Sequence, residues 1–421
     1  MTTDQHAAAA PMTTTRLAAL AVPAAVVGIL SALGLVLVSW VANQLQGWLW
    51  DSLPASFGAR ADSPWWIVVV LTATGLAVGA IVRWVPGHAG DDPATTGLVA
   101  APLPIGTVPG LAAALILGLA GGVSLGPENP IIAVNVAIAV WLVARSRAGV
   151  PAPAVTLMAS AGTIGAMFGT PVGAALVMTE ALGDKGRGPL FDRLFGPLVA
   201  AGTGSLTMSL IGSPQLSVDV PGYSDPAWGD LIAAPIVAAA AALVCLLGVW
   251  AFPHVHAAFH RIGHPVLMLG AGGLVLGVLG AIGGPLTLFK GLDEMKELTA
   301  DAADYGTWAL LGIAVVKVAA LVVASSAGFR GGRIFPAVFV GVAVALFLHS
   351  AVPGLHLGLA VAAAVMGATL VVARDGWLAL FMGVAMVADV TVLPVLCLAV
   401  LPLWLLVRSR PPMLIAARVS G

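Results

Sequence analysis

Charge is what this sequence has least of. Only 9% of its residues are Asp, Glu, Lys or Arg, against about 25% in soluble globular domains. A chain that poor in charge and 59% hydrophobic cannot be solvated by water as one folded domain, and the solvent that fits it is a bilayer. The formal net charge of -1 leaves no basic surface and excludes nucleic acid as a partner. Cysteine is nearly absent. Cys245 and Cys397 each sit inside an apolar run, and neither belongs to a C-x-x-C pair. Both read as small packing residues, which excludes a thiolate metal centre. No Lys or Arg precedes Arg16, so the polar, Ala/Thr-rich start lacks the basic region of a signal peptide and the first apolar stretch is expected to stay as a membrane helix. Gly-x-Ser-x-Gly, His-Glu-x-x-His and paired membrane aspartates are all missing, which removes support for an intramembrane enzyme.

What the chain has is a succession of apolar runs, near 17–45, 64–85, 107–122, 131–144, 155–182, 190–211, 229–252, 264–288, 308–327, 334–350, 355–373, 376–388 and 390–407. Several reach the roughly 20 residues that cross a bilayer. Others are shorter and are interrupted at Gly121-Gly122, Gly169-Thr170-Pro171, Gly283-Gly284-Pro285 and Gly331-Gly332, in a sequence with 51 Gly and 29 Pro. Irregular backbone survives in hydrocarbon only when it is buried in protein or lines a polar cavity. A half-helix that begins there turns free N–H groups and a partial positive charge toward the cavity, an arrangement that binds anions.

The most polar mid-chain stretch, 213–230, includes Ser213, Pro214, Pro221, Gly222, Asp225 and Pro226. It divides the chain into a polar tail (1–15), a first half (16–212), the linker itself and a second half (231–421), each half with a Gly-rich break ahead of an apolar helix. The halves are read as an inverted repeat. A second polar stretch, 290–305, reads as a solvated loop helix. Arg408, Arg410 and Arg418 follow the last run and point to a cytoplasmic C-terminus.

Two segments carry chemistry. In Gly121-Gly-Val-Ser-Leu-Gly-Pro-Glu-Asn-Pro130, Glu128 falls where a helix begins. Pro127 and Pro130 suit a first turn. A carboxylate there faces the positive end of its own helix and can compete for an anion site; the structural alternative is a first-turn acid at the membrane interface. In Ser325-Ser-Ala-Gly-Phe-Arg-Gly-Gly-Arg-Ile-Phe-Pro336, Gly332 permits close ligand approach, and the N–H groups of Ile334 and Phe335 are available as donors. Arg330 and Arg333 either add positive charge or snorkel to the interface.

Together these segments resemble the CLC family of chloride channels and transporters. Gly126-Pro127-Glu128-Asn129-Pro130 is similar to the family's Gly-Lys/Arg-Glu-Gly-Pro, and Gly332-Arg333-Ile334-Phe335-Pro336 to its Gly-x-Phe-x-Pro, with Ile334 at the Phe position. The segment from Ser160 to Glu180 resembles the family's alanine-rich stretch with Asn-Ala-Pro and a closing Glu pair. The three occur in family order over nearly the whole chain, closest to a divergent bacterial subgroup. The resemblance implies an all-α polytopic fold with two inverted halves and short, broken helices, in a homodimer with one pore per subunit. It implies transport of a small inorganic anion across the inner membrane, with Glu128 as gate and Gly126, Pro127, Asn129, Gly332, Ile334, Phe335 and Met413 around the anion. No cofactor or metal is implied.

The departures are specific. The family's Gly-Ser-Gly-Ile-Pro loop matches Gly87–Pro93, which has no Ser; there Asp91 and Asp92 either face the anion or cap the next short helix. The family's pore tyrosine falls at Met413, and no tyrosine follows Tyr305. Glu180 matches the first acid of the Glu pair and Ala181 the second, the position of the proton-transfer glutamate of many exchangers. Glu180 is then either a structural hydrogen-bonding group or part of an altered proton path. Lys317, mid-run, must face a cavity or a buried partner. Asp389 reads as a helix cap. His254, His256, His260 and His264 lie at mixed spacing without supporting acids, so no metal is expected. Two readings result: a gated anion pathway, or a proton-coupled exchanger with a non-standard relay.

Overall fold

The computed structural model describes residues 13–146, 149–182, 189–212, 216–224 and 226–415. Most of the polar N-terminal tail, Ser213, Pro214 and Asp225 of the linker, and Arg418 lie outside the described residues. Among those described there is no strand, only one isolated antiparallel bridge, and nine helices are long and apolar enough to cross a membrane.

The backbone groups into two compact units. The first holds the start of α1 (Thr14–Gly47), most of α5 (Glu128–Arg145), α6 (Ala152–Phe168), α7 (Pro171–Leu182) and α8 (Leu190–Ile211). Its polar side chains fasten helix to helix. Asn135 donates to the Ser31 carbonyl and to Thr163 Oγ1, both at 3.0 Å. Gly165 and Gly204 lie against the backbone of Ala201 and Gly162, so α6 and α8 touch without intervening side chains. Small residues bring helices close where lipid offers no hydrophobic drive to associate.

The second unit holds the end of α1, α2 (Leu53–Ser56), α3 (Pro64–Trp84), α4 (Val108–Ala120), the first turn of α5, α9 (Asp230–His260), α10 (Pro265–Gly283), α11 (Leu292–Ala300), α12 (Thr307–Ser326), α13 (Ile334–Ala351), α14 (Leu357–Ala373), α15 (Gly376–Val387) and α16 (Leu393–Val407). Residues 334–346 of α13 and 358–371 of α14 are buried throughout, whereas α9 and α16 expose Ile236, Leu247, Trp250, Leu401 and Leu405 on their outer faces, as lipid-facing helices do. Cys245 is buried as expected, but Cys397 is exposed on α16 and does not pack in a core.

The polar 290–305 stretch forms α11, but it is not simply solvated, since Leu292, Met295 and Leu298 are buried along one face. Asp389 caps the turn before α16, its Oδ1 accepting the Thr391 N–H at 2.9 Å and its Oδ2 the Tyr223 N–H at 2.8 Å.

A local two-fold relation is visible inside the second unit. The loop from Gly121 into α5 and the loop from Ala327 into α13 have the same backbone course. Gly122 (φ +85°) corresponds to Gly328 (φ +88°), and Gly126 corresponds to Gly332. Each of the two helices that follow is 18 residues long. Pro130 and Pro336 are each the third residue, where no intrahelical acceptor exists for the missing N–H. Gly126 and Gly332 exchange two backbone hydrogen bonds, N to O at 2.8 and 2.6 Å. An antiparallel bridge between equivalent residues places the two-fold through the bridge itself. The α3–α10 pair repeats the relation. A side chain at Gly75 would strike the Leu269 carbonyl and one at Gly273 the Leu71 carbonyl; Gly79 lies on Val266 and Gly277 on Val68.

Candidate anion site

α5 and α13 start on either side of the Gly126–Gly332 bridge, and the side chain that leaves the first of them turns back over it. Glu128 is fully buried. Its Oε1 accepts the Phe335 N–H at 2.8 Å, and the Ile334 N–H adds a favourable influence on the carboxylate. Its Oε2 has no hydrogen-bond partner, although it lies so close to Gly126 and Gly332 that a Cβ on either would strike it. Gly332 does permit the close approach expected of it, and the group that approaches is Glu128. The carboxylate thus occupies the electropositive end of α13, where two orphan N–H groups of a first turn point at it. This brings together Glu128, Gly126, Gly332, Ile334 and Phe335 of the expected set. Pro127 precedes the carboxylate in the chain, and the Asn129 side chain turns instead to the Gly97 carbonyl at 3.2 Å.

Neither arginine snorkels, contrary to one reading of the sequence, because both are buried against carbonyls. Arg333, at the N-cap of α13, donates Nη1 to the Met413 carbonyl and Nη2 to the Thr96 carbonyl at 3.1 Å, with its charge acting on Glu128. Met413 is buried and meets this cation through its carbonyl. Arg330 holds the loop that replaces the family's serine loop. Gly87, His88, Ala89 and Gly90 are four consecutive left-handed residues, with φ of +81°, +52°, +56° and +76°. Arg330 donates to the carbonyls of Ala89, His88 and Gly90 at 2.8, 3.0 and 2.9 Å, and to that of Gly328 at 2.9 Å.

Asp92 caps the short turn that follows, accepting the Ala94 N–H at 3.0 Å on Oδ1. Its Oδ2 meets His256 and His260. Burial alone would raise the Asp92 pKa, but hydrogen bonds from His260, His256 and Ala94 outweigh it and hold the carboxyl below its usual range. The expectation that the histidines lack a supporting acid is therefore corrected. The acid arrives from 164 residues away in the chain, beyond the reach of a local spacing argument.

Lys317 is fully buried and meets partners, not a cavity. Nζ donates to the carbonyls of Thr287, Leu288 and Phe289 at 3.2, 2.6 and 3.0 Å and stands 4.8 Å from the Phe339 ring centroid. Glu294, on α11, interacts with it through space; burial raises the Glu294 pKa, and Lys317 opposes that rise. Glu180, in the first unit, is exposed on α7, with no hydrogen bond to another described residue.

A cavity of about 470 Å³ in the second unit is lined by Asn43, Gln46, Trp50, Asp51, Asp62 and Phe289, among others. The Trp50 indole donates to the Ala120 carbonyl at 2.9 Å and stands edge-on to Phe289, with centroids 5.3 Å apart. A Cβ at Gly122 would touch both rings, so two of the cavity's lining side chains rest on the loop that leads to Glu128. Nothing in the local sequence around Trp50 marks it for this role.

The family model described as "Voltage gated chloride channel" matches residues 74–402. The "Putative ion-transport protein YfeO" of Escherichia fergusonii is 51% identical over 396 residues, covering 94% of this chain and 94% of that protein. The protein of the same name from an Escherichia coli strain is 50% identical over the same length. Among solved structures, a CLC-type fluoride/proton antiporter aligns with TM-score 0.75 at 17% identity, over 96% of this chain and 98% of that one. A slow cyanobacterial Cl-/H+ antiporter aligns with TM-score 0.77 at 14% identity, over 94% and 95%. At these identities the structural likeness shows the fold alone.

Proposed function

The chain belongs to the voltage gated chloride channel family, and from that premise we propose that it carries a small inorganic anion across the inner membrane through a pore gated by Glu128. One observation carries the reading: a fully buried carboxylate sits on the N–H groups that open α13, with one oxygen unpartnered. Those N–H groups would serve equally well for a permeating anion, so carboxylate and anion compete for one position. Protonation removes the side chain's charge and with it the attraction to the helix end. The neutral side chain then yields the position to the anion. With no Ser in the 87–93 loop and Met413 in place of a tyrosine, the anion is held by backbone donors of Asn129, Ile334 and Phe335 and by the field of Arg333. The cavity over Gly122 is the outer vestibule. The local two-fold supports two inverted halves, 16–212 and 231–421, joined by the 213–230 linker; family membership is what suggests a homodimer with one pore per subunit.

The second reading is proton-coupled exchange. The solved structures of the same fold named above are antiporters. Glu180 or a water chain would then take the role of the acid replaced by Ala181, because a carboxylate that must be protonated to move already supplies one proton-binding step. Flux in liposomes tests both. Purified protein should dissipate a chloride or fluoride gradient, and Glu128→Gln should flatten the pH dependence of that flux. If flux and its pH profile are the same in wild type and variant, the gate assignment is lost. Uphill proton movement driven by the anion gradient selects the exchanger; anion flux without it selects the passive pathway.

A further inference from the structure

Outside the pore, the second unit holds a cluster of metal-ligating side chains that the anion reading does not use. His256 and His260 are four residues apart on α9, so both project from one helix face. Their Nε2 atoms reach the same oxygen of Asp92, at 3.0 and 3.2 Å. The two rings stack with centroids 3.7 Å apart, and the three ligand atoms all lie within 4.8 Å of one another. Metal–ligand bonds of about 2.0–2.2 Å in a tetrahedral site separate neighbouring ligand atoms by roughly 3.3 Å. The two measured spacings are already close to such edges, and only small ring movements would admit an ion. His260 Nδ1 is turned to the His256 carbonyl at 2.9 Å, a contact that fixes the ring and aims its other nitrogen at a metal. The His260 side chain is 36% exposed and that of Asp92 26%, so an ion can enter and keep a water as its remaining ligand. Two imidazoles and one carboxylate suit zinc, cobalt or nickel and not the oxygen-seeking magnesium or calcium. His254 is not part of the cluster; its Nδ1 is on the Trp250 carbonyl at 3.1 Å.

The position gives occupancy a consequence. Asp92 lies on the stretch whose carbonyls Arg330 gathers, whose Thr96 carbonyl meets Arg333 and whose Gly97 carbonyl meets Asn129. We propose that Asp92, His256 and His260 form a binding site for a divalent transition-metal ion of the zinc class, and that the bound ion ties α9 to the loop carrying the pore arginines' acceptors.

The test uses the full-length protein in detergent with any histidine tag removed. Titration with Zn²⁺ should show one ion bound per chain and a rise in Tm. Co²⁺ should give the intense visible bands of a low-coordinate nitrogen and oxygen site. His256→Gln and His260→Gln should each weaken binding at least ten-fold while leaving the metal-free Tm near that of the wild type. Asp92→Asn, whose amide oxygen can still cap the turn, should also weaken it. Wild type that binds Zn²⁺ no more tightly than the His256→Gln/His260→Gln double variant would overturn the proposal and leave an Asp–His ion-pair cluster. Binding undiminished in all three single variants would do the same. The readout is ion binding, so it stands or falls independently of anion flux.

Discussion

Gly332 is required because a carboxylate fills the space that a β-carbon would take. A methyl group there would strike Glu128 Oε2, and overpacking a filled interior costs about 1–3 kcal/mol. Gly332→Ala is expected to lower stability by that amount and to dislodge the gate, making flux less dependent on pH. The cost should shrink in a Glu128→Ala background, where only the β-carbon of residue 128 stays close, at 3.0 Å; an additive double-mutant cycle, measured by thermal unfolding, would mean that the carboxylate is elsewhere. Lys317 poses a different question. It is held by three carbonyls and the Phe339 ring, so Lys317→Met strands buried acceptors and removes the charge opposite Glu294. A loss on the order of 3 kcal/mol is expected, with partial recovery on adding Glu294→Gln. A variant of unchanged Tm with reduced anion binding would instead make Lys317 a pore charge. Glu128, Gly332, Ile334 and Phe335 were legible because a glycine, a proline and an acid at a helix start carry their meaning within ten residues of chain. The partners of Lys317 were not legible, because carbonyls leave no trace in a sequence.

At the scale of elements, the informative object is the left-handed turn from Gly87 to Gly90. Two of its residues, His88 and Ala89, are not glycine, and each non-glycine residue in that conformation costs roughly 1 kcal/mol. The guanidinium of Arg330 offsets this by binding the carbonyls of His88, Ala89 and Gly90 and the Gly328 carbonyl at once, four acceptors where an ammonium has only three donors. Arg330→Lys is expected to destabilise the protein by about 2–4 kcal/mol, and Ala89→Gly to restore up to about 1 kcal/mol by removing the strain. If Ala89→Gly raises Tm in neither the wild-type nor the Arg330→Lys background, the turn is not under strain. The sequence placed a distinct loop here and marked its missing serine, but not its hand. Backbone sign is readable from glycine alone, and the two central residues conceal it. Helix ends show the same division. Gly283-Gly284-Pro285 ends α10 where the glycine–proline signal says it must, whereas the interlock of α3 with α10 rests on glycines that look, in sequence, like ordinary breaks in an apolar run.

At the scale of the second unit, charge is distributed by end. Gly79 on Val266 joins the end of α3 to the start of α10. Asp92 on His256 and His260 brings in the end of α9. Ile415 N–H on the Ala94 carbonyl, at 2.8 Å, adds the segment after α16. Arg374, donating to the Arg410 and Pro411 carbonyls at 2.8 and 2.6 Å, adds the end of α14. This end collects Arg83, Arg261, Arg374, Arg408 and Arg410. The opposite end gathers the acidic cavity wall of Asp51, Asp62 and Asp293, followed in the chain by Glu297, Asp301 and Asp304, with fewer basic residues, Arg60 paired to Asp62, Lys290 and Lys296. Basic residues in short connections stay on the cytoplasmic side, and acidic ones contribute little to the choice. The arginine end, with the C-terminal segment, is therefore expected to face the cytoplasm and the acidic cavity the periplasm. Single cysteines decide it. In a Cys397→Ala background, which removes the exposed thiol and leaves Cys245 buried, a membrane-impermeant maleimide should label Asp301→Cys on intact spheroplasts. Arg410→Cys should be labelled only after the membrane is opened. The reverse pattern would invert the orientation. Labelling of both from one face would break the assignment of the two charge sets to opposite ends, and with it the placing of the vestibule outside and the C-terminal segment within.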